Sequence, residues 1–210
     1  MSKSISVFMP AYNEEENIKE AVLEIDNYLK VRFLDYEILV VDDGSRDRTG
    51  EAVRELQKSL SNLKLLSLEV GSSGYGRAVR NGFKNASKEL IFFTDADRQF
   101  DINELDNLLP LLDKYDIVAG FRARRQDPLM RIFIAWAYNG LIRLFLKLKL
   151  KDVDCAFKLF KGEVIDAIQL SEKRETGVIN AEVLIKALKK GFKLIQVPVK
   201  HRPRLKGQTD

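Results

Sequence analysis

Residues 89–100 read ELIFFTDADRQF. The apolar run from Leu90 to Phe93 has no polar alternation, so it reads as a strand buried on both faces. It stops abruptly in acid, small residue, acid. Asp95 and Asp97 stand two apart at the strand tip, where alternate side chains leave in the same direction. Two carboxylates this close repel each other and require a cation, solvent or another compensation.

Outward from this stretch the pattern repeats. "SISVF" near the start, "YEILVV" (36–41), "LKLLSL" and "DIVAG" read as further strands. Between them lie helical faces. Ile18, Val22, Ile25 and Leu29 recur at helical spacing within 15–31. Thr49 is the expected cap of a helix burying Val53, Leu56 and Leu60. Ala78, Val79, Phe83 and Ala86 mark a third helix, and a short one is expected near 103–112, with Pro110 near its end. Strand and helix alternate about five times, which predicts an α/β fold with a mostly parallel central sheet and helices on both faces. Ligands in such sheets bind beyond the carboxyl ends of the strands. Three of those ends carry polar clusters: "PAYNE" after the first strand, "DDGS" after the second and "TDAD" after the fourth.

The second half differs. From Arg122 to Lys151 there are eight Lys or Arg residues and one acid, Asp127, interleaved with Phe133, Trp136, Tyr138, Phe145 and several Leu and Ile residues. One or two amphipathic helices are expected there, then a strand "AFKLF", short helices near 163–170 and 179–190, and a last strand "KLIQVPV" before a basic tail. The basic apolar region suits a membrane interface; equally, its aromatic residues can pack into the core with the charges solvated. The 210 residues, without repeat or low-complexity linker, read as one domain. Its two halves would be 1–121, with the acidic strand ends, and 122–210, with the basic apolar region. A 45% hydrophobic and 31% charged composition excludes a disordered chain, and a single cysteine excludes an internal disulfide and suits a reducing compartment. No window approaches the roughly 18 apolar residues of a spanning helix, and no signal peptide is visible at the start.

The motifs admit specific chemistry. Asp95 and Asp97 can offer oxygens to one hard cation, Mg²⁺ or Mn²⁺, shared with phosphate oxygens, and Gln99 can add an oxygen or orient a ligand water. An isolated D-x-D is also an ordinary solvated turn. Asp42 and Asp43 can accept from a nucleobase or a ribose hydroxyl, or simply form an Asp-Asp-Gly turn. Tyr12 and Glu14 can stack on and bond to a base, while Glu14 to Glu16 also suit a helix N-terminus. "GSSGYGRAVRNG" (71–82) can pass backbone close to a diphosphate or be a structural turn; it lacks the lysine of a P-loop.

Taken together, "PAYNE", "DDGSRDRT", "GYGRAVRNG", "TDADRQF", "VAGFRARRQDP", "YNGLIRLFL", "DVDCAFKLFK" and "VPVKHRP" resemble family 2 glycosyltransferases of the GT-A fold, over nearly the whole chain. Within that family the chain looks most similar to the dolichyl- and polyprenyl-phosphate sugar transferases. The resemblance implies a nucleotide-diphospho-sugar donor held by Pro10, Tyr12, Glu14, Asp42 and Asp95. It implies a metal held by Asp95, Asp97 and Gln99. The acceptor, a polyprenyl or dolichyl phosphate, would meet Arg122, Arg131 and Arg202. Asp97, Arg122 and Arg131 would be the catalytic set, working at the cytoplasmic face of a membrane and without nucleic acid. Two positions depart from the family's mannose-transferring members: Arg98 stands where leucine is common, and Ala135 where serine is. A hydroxyl acceptor, with Glu182 as base, and a non-catalytic nucleotide- or lipid-binding module are the alternatives. A nucleotidyltransferase would need a glycine-rich basic loop after the first strand, which "PAYNEEEN" is not.

Overall fold

The computed structural model describes residues 4–69, 74–123, 150–170 and 178–204. Seven strands form its sheet: β1 (Ile5–Ala11), β2 (Tyr36–Asp42), β3 (Leu63–Ser67), β4 (Leu90–Thr94), β5 (Ile117–Arg122), β6 (Phe157–Lys161) and β7 (Leu194–Val199). The helices are α1 (Ile18–Leu29), α2 (Thr49–Gln57), α3 (Tyr75–Asn85), α4 (Leu105–Leu108), α5 (Gly162–Ala167) and α6 (Ile179–Lys189). Short 3-10 turns at Ile102–Glu104 and Leu109–Asp113 flank α4, so the helix expected over 103–112 is broken into three pieces around Pro110.

The strand order is β3-β2-β1-β4-β6-β5-β7. All strands run parallel except β6, which is antiparallel to both neighbours. β7 is an edge strand and tolerates Pro198, which has no N–H to give a further neighbour. Strands β1, β2 and β3 step outward in one direction; the chain then crosses back through α3 to place β4 on the other side of β1. Right-handed crossovers in opposite directions put their helices on opposite faces. Accordingly α1 packs with α2, and α3 packs with α6.

That reversal opens a crevice. β1 pairs with β2 as far as Ala11↔Asp42, but with β4 only as far as Phe8↔Phe93. Beyond that point β1 and β4 part, and the chain after Thr94 is left facing the end of β1. The floor is rigid. Phe8 stacks on Phe93 at 5.0 Å between centroids and meets Phe83 edge-on at 4.8 Å. Helix α3 lies so close that a Cβ on Gly82 would fall 2.1 Å from the Phe8 ring. On the opposite face Phe92 meets Phe157 edge-on at 4.7 Å.

At the amino ends of the same strands sits a closed polar knot. Glu37 is buried. Its carboxylate accepts from Ser6 Oγ at 2.6 Å, from the Ser87 N–H and Oγ at 2.9 Å each, and from Lys64 Nζ at 2.6 Å. Burial alone would raise the acid's pKa, but these donors overcome it and hold it down at about 2.

Among the described residues no helix is long and apolar enough to cross a membrane. Most of the basic amphipathic region, with Arg131 and Ala135, lies outside the described residues.

Candidate functional site

The loops that follow β1 and β2 are interlaced. The Asn13 N–H donates to Ser45 Oγ at 3.0 Å, and the Arg46 N–H returns to Asn13 Oδ1 at 2.9 Å. The Glu14 N–H donates to Thr49 Oγ1 at 2.8 Å. The Glu15 N–H donates to Asp47 Oδ2, and the Arg48 N–H to Glu15 Oε2, both at 3.0 Å. Thr49 is therefore not the cap expected from the sequence. It is the first residue of α2, its N–H donates to Asp47 Oδ1, and its hydroxyl joins the two loops. Asn13 adopts φ 53°, a left-handed conformation that asparagine tolerates better than most residues, and Gly44 takes φ 76° in the facing turn.

This lacing leaves Tyr12 exposed at the rim and tucks three acids inside: Glu14, Asp42 and Asp43 are buried. The Ser45 N–H caps Asp42 at 2.9 Å. Asp43 accepts from the Gly74 N–H at 2.9 Å, which ties the start of α3 to this edge. Glu14 does not sit on α1, which begins only at Ile18. It belongs to the turn before the helix, where its Oε2 accepts from Asn17 Nδ2 at 2.7 Å. Glu15 and Glu16, by contrast, are exposed.

Asp95 and Asp97 follow β4 across the crevice, both half-buried. Burial raises the proton affinity of Asp95, and the nearby Asp97 charge raises it further; Lys158 and Arg122 oppose this, and Glu14 adds to it. Asp97 is raised by burial too, relieved by the Gln99 N–H and by the charges of Arg204 and His201. The repulsion expected from the sequence is therefore present, and Glu14 shares in it. Arg98, in the turn, takes φ 62° and sends its guanidinium out to Glu24 on α1. The side chain at this position is a strut to α1.

The remaining expected residues divide. Gln99 uses its amide nitrogen on the Arg202 carbonyl at 2.8 Å, so it fastens the tail beside the acid pair. Arg202 turns to Asp101, outside the crevice, and its side chain is half exposed. Arg204 reaches in instead, donating to Glu14 Oε1 at 2.7 Å. Arg122 ends β5 with its Nε and one Nη on the buried Asp152, at 2.8 and 3.1 Å. Glu182 lies on α6, where Lys186 donates to it at 2.6 Å. Pro10 stands in β1, paired with Val41.

Three residues that sequence reasoning missed now matter. Lys158 is buried in β6 opposite Phe93, donating to the Cys155 carbonyl and, at 3.1 Å, to Asn180 Oδ1. A lysine within the apolar strand Phe157–Phe160 was the available signal. Asp152 orients Arg122, and nothing in "DVDC" marked it. Arg204 was passed over as part of a basic tail.

Among the described residues no group of three or more acids, histidines or cysteines is placed to hold a metal unaided. A mutually repelling carboxylate pair at an open strand end does fit a hard cation that completes its shell with oxygens from a ligand.

A seven-stranded, mostly parallel sheet with its acidic carboxyl edge at the reversal of strand order is the GT-A architecture, and solved structures bear this out. Glucosyl-3-phosphoglycerate synthase from Mycobacterium tuberculosis, in complex with Mn²⁺, uridine diphosphate and glucosyl-3-phosphoglycerate, superposes with a TM-score of 0.72 over 96% of this chain and 73% of that one, at 21% identity. The family model for glycosyl transferase family 2 matches residues 6–168, and the chain belongs to that family. It is 30% identical, over 98% of its length, to the undecaprenyl-phosphate 4-deoxy-4-formamido-L-arabinose transferase of Edwardsiella ictaluri. Over 93% of its length it is 32% identical to a dolichyl-phosphate beta-glucosyltransferase of Trichomonas vaginalis. Over 98% it is 30% identical to the glycosyltransferase AglD of Haloferax volcanii. The chain spans 62%, 64% and 34% of the lengths of these three relatives.

Proposed function

We propose that this chain is an inverting, metal-dependent glycosyltransferase that moves a hexose, mannose or glucose in first place, from a nucleotide sugar to a polyprenyl or dolichyl phosphate. The observation that carries the reading is the facing of two acid groups across one crevice, Glu14 after β1 and the Asp95–Asp97 pair after β4, whose charges act on one another. Two of the similar proteins are named for transfer to a lipid phosphate, which supports the acceptor class.

Tyr12, at the rim, would stack on the nucleobase, with Asp42 and Pro10 lining its pocket. Asp95 and Asp97 would hold Mg²⁺ or Mn²⁺. When bound, that cation supplies charge neutralisation for the leaving diphosphate. Arg122, aimed by Asp152, would meet the acceptor phosphate together with Arg131. An acceptor phosphate oxygen forms the new bond to the anomeric carbon from the face opposite the diphosphate. The bond to the diphosphate breaks, and its electron pair leaves with the nucleoside diphosphate. A lipid phosphate is already an anion near neutral pH, so alignment and charge suffice and no base is needed. A hydroxyl acceptor would require one, and Glu182 is engaged by Lys186 on its own helix. Residues 1–210 would act as one domain, with the basic segment from Arg122 to Lys151 resting on the membrane surface that carries the acceptor.

The test is a panel of uridine and guanosine diphosphate sugars with polyprenyl phosphate and Mn²⁺, read as lipid-linked sugar and repeated with chelator. The expected result is transfer from one donor, abolished by the chelator. Transfer to hydroxyl acceptors with none to polyprenyl phosphate would overturn the acceptor assignment.

A further inference from the structure

The chain after β7 returns to the acid pair and is fastened there. The Lys200 N–H donates to Glu104 Oε2 at 3.0 Å. The Arg202 N–H donates to the Gln99 carbonyl at 2.8 Å, and the Gln99 amide donates back to the Arg202 carbonyl. His201 is buried edge-on against Phe100, with ring centroids 5.1 Å apart. These contacts lay residues 200–204 across the turn that carries Asp95 and Asp97, and they bring a charged side chain to Glu14. The Arg204 guanidinium reaches Glu14 at 2.7 Å, with side-chain exposures of only 16% and 10%.

We propose that Arg204 is a built-in counter-ion of the donor site: it holds the place of the divalent cation among Glu14 and the aspartate pair while the site is empty, and it must be outcompeted for metal to enter. The inference rests on the donor-site reading above. Charged acids drawn together from two loops repel one another and are costly to keep packed without a nearby positive charge. The tail supplies that charge from a strap whose own bonds are largely backbone. Besides its contact with Glu14, the guanidinium is near enough for its charge to act on Asp97. A cation held beside acidic oxygens repels a second cation brought to the same group, so the strap weakens metal binding in the absence of donor. The consequence is an ordered site, in which a metal–nucleotide complex, bringing its own negative charge, is admitted in preference to the bare ion.

The experiment measures Mn²⁺ binding to the full chain by the loss of the free-ion electron paramagnetic resonance signal, without nucleoside diphosphate, and with it by equilibrium dialysis, which counts the Mn²⁺ retained with the protein. Arg204→Gln is expected to tighten binding of Mn²⁺ alone by about threefold or more. Arg32→Gln removes the same charge from the exposed pair with Asp106 and is expected to change that affinity by less than about twofold. With nucleoside diphosphate present, the gain in Arg204→Gln should shrink. An Arg204→Gln protein that binds bare Mn²⁺ as wild type does, or more weakly, overturns the inference. Should Arg204→Gln fold poorly, Arg204→Lys keeps the charge and is expected to behave as wild type; tighter bare-ion binding there would also overturn it. If wild type takes up no Mn²⁺ even with nucleoside diphosphate, the donor-site reading itself fails and this inference goes with it.

Discussion

Glu37 and Asp95 are acids at opposite ends of the same sheet, and they are perturbed in opposite directions. Glu37, at the amino ends, is ringed by four donors and pushed down to about 2. Asp95, at the carboxyl ends, is half-buried beside other acids and pushed up. The first arrangement is complete in itself and stabilises the fold. The second is incomplete: the positive charges near it do not offset its burial and the neighbouring acids. On the proposed reading, the contrast separates a structural carboxylate, Glu37, from one held for a ligand, Asp95.

Breaking the incomplete end should cost activity and not stability. Asp97→Asn removes a charge from the repelling group, and metal-dependent transfer is expected to fall by at least about a hundredfold. Thermal unfolding without metal should stay level or rise; a lowered melting temperature would mean that the pair is structural. Breaking the closed end should do the reverse. Glu37→Ala strands Lys64 and three other donors, and is expected to destabilise by about 3 kcal/mol in urea unfolding. Its specific activity on the folded protein should stay near that of wild type.

The closed end can be sharpened by pH. The folded pKa of Glu37 lies below its unfolded value, so its contribution is full above about pH 4.3 and is lost as pH falls toward 2. Glu37→Gln should flatten that part of the stability profile, by on the order of 2–3 kcal/mol across the window; a parallel profile would refute the assignment. The smallest effect expected is in the floor between the two ends. Gly82→Ala drives a methyl into the Phe8 ring and should cost about 1–3 kcal/mol, with a modest loss of activity.

Most of the frame was legible because it depends on periodicity. Continuous apolar runs announced β1, β2 and β4, and their acidic tips announced the edge where the crevice lies. "AFKLF" and "KLIQVPV" were readable as strands for the same reason. The reversed direction of β6 was not, since direction is set by tertiary pairing and leaves no mark on a five-residue strand. Within the site, residue types were legible but partners were not. Arg202 and Arg204 are two positions apart in one basic tail, and only the fold sends one out to Asp101 and the other in to Glu14. Thr49 looked like a cap because threonine before an apolar helix usually is one. Asp47 took that part, because the Thr49 hydroxyl was drawn into a bond between loops. Lys158 was masked by its strand: a charged residue amid phenylalanines reads as an exception until its acceptors are seen.

The interlaced loops after β1 and β2 carry a consequence for binding. Their reciprocal bonds between Asn13 and Ser45–Arg46, and between Glu15 and Asp47–Arg48, hold the wall around Tyr12 and Asp42, where the proposed nucleotide would dock. A ligand docking against a finished wall forfeits little conformational entropy there. On that reading, discrimination between bases would be a matter of fixed shape.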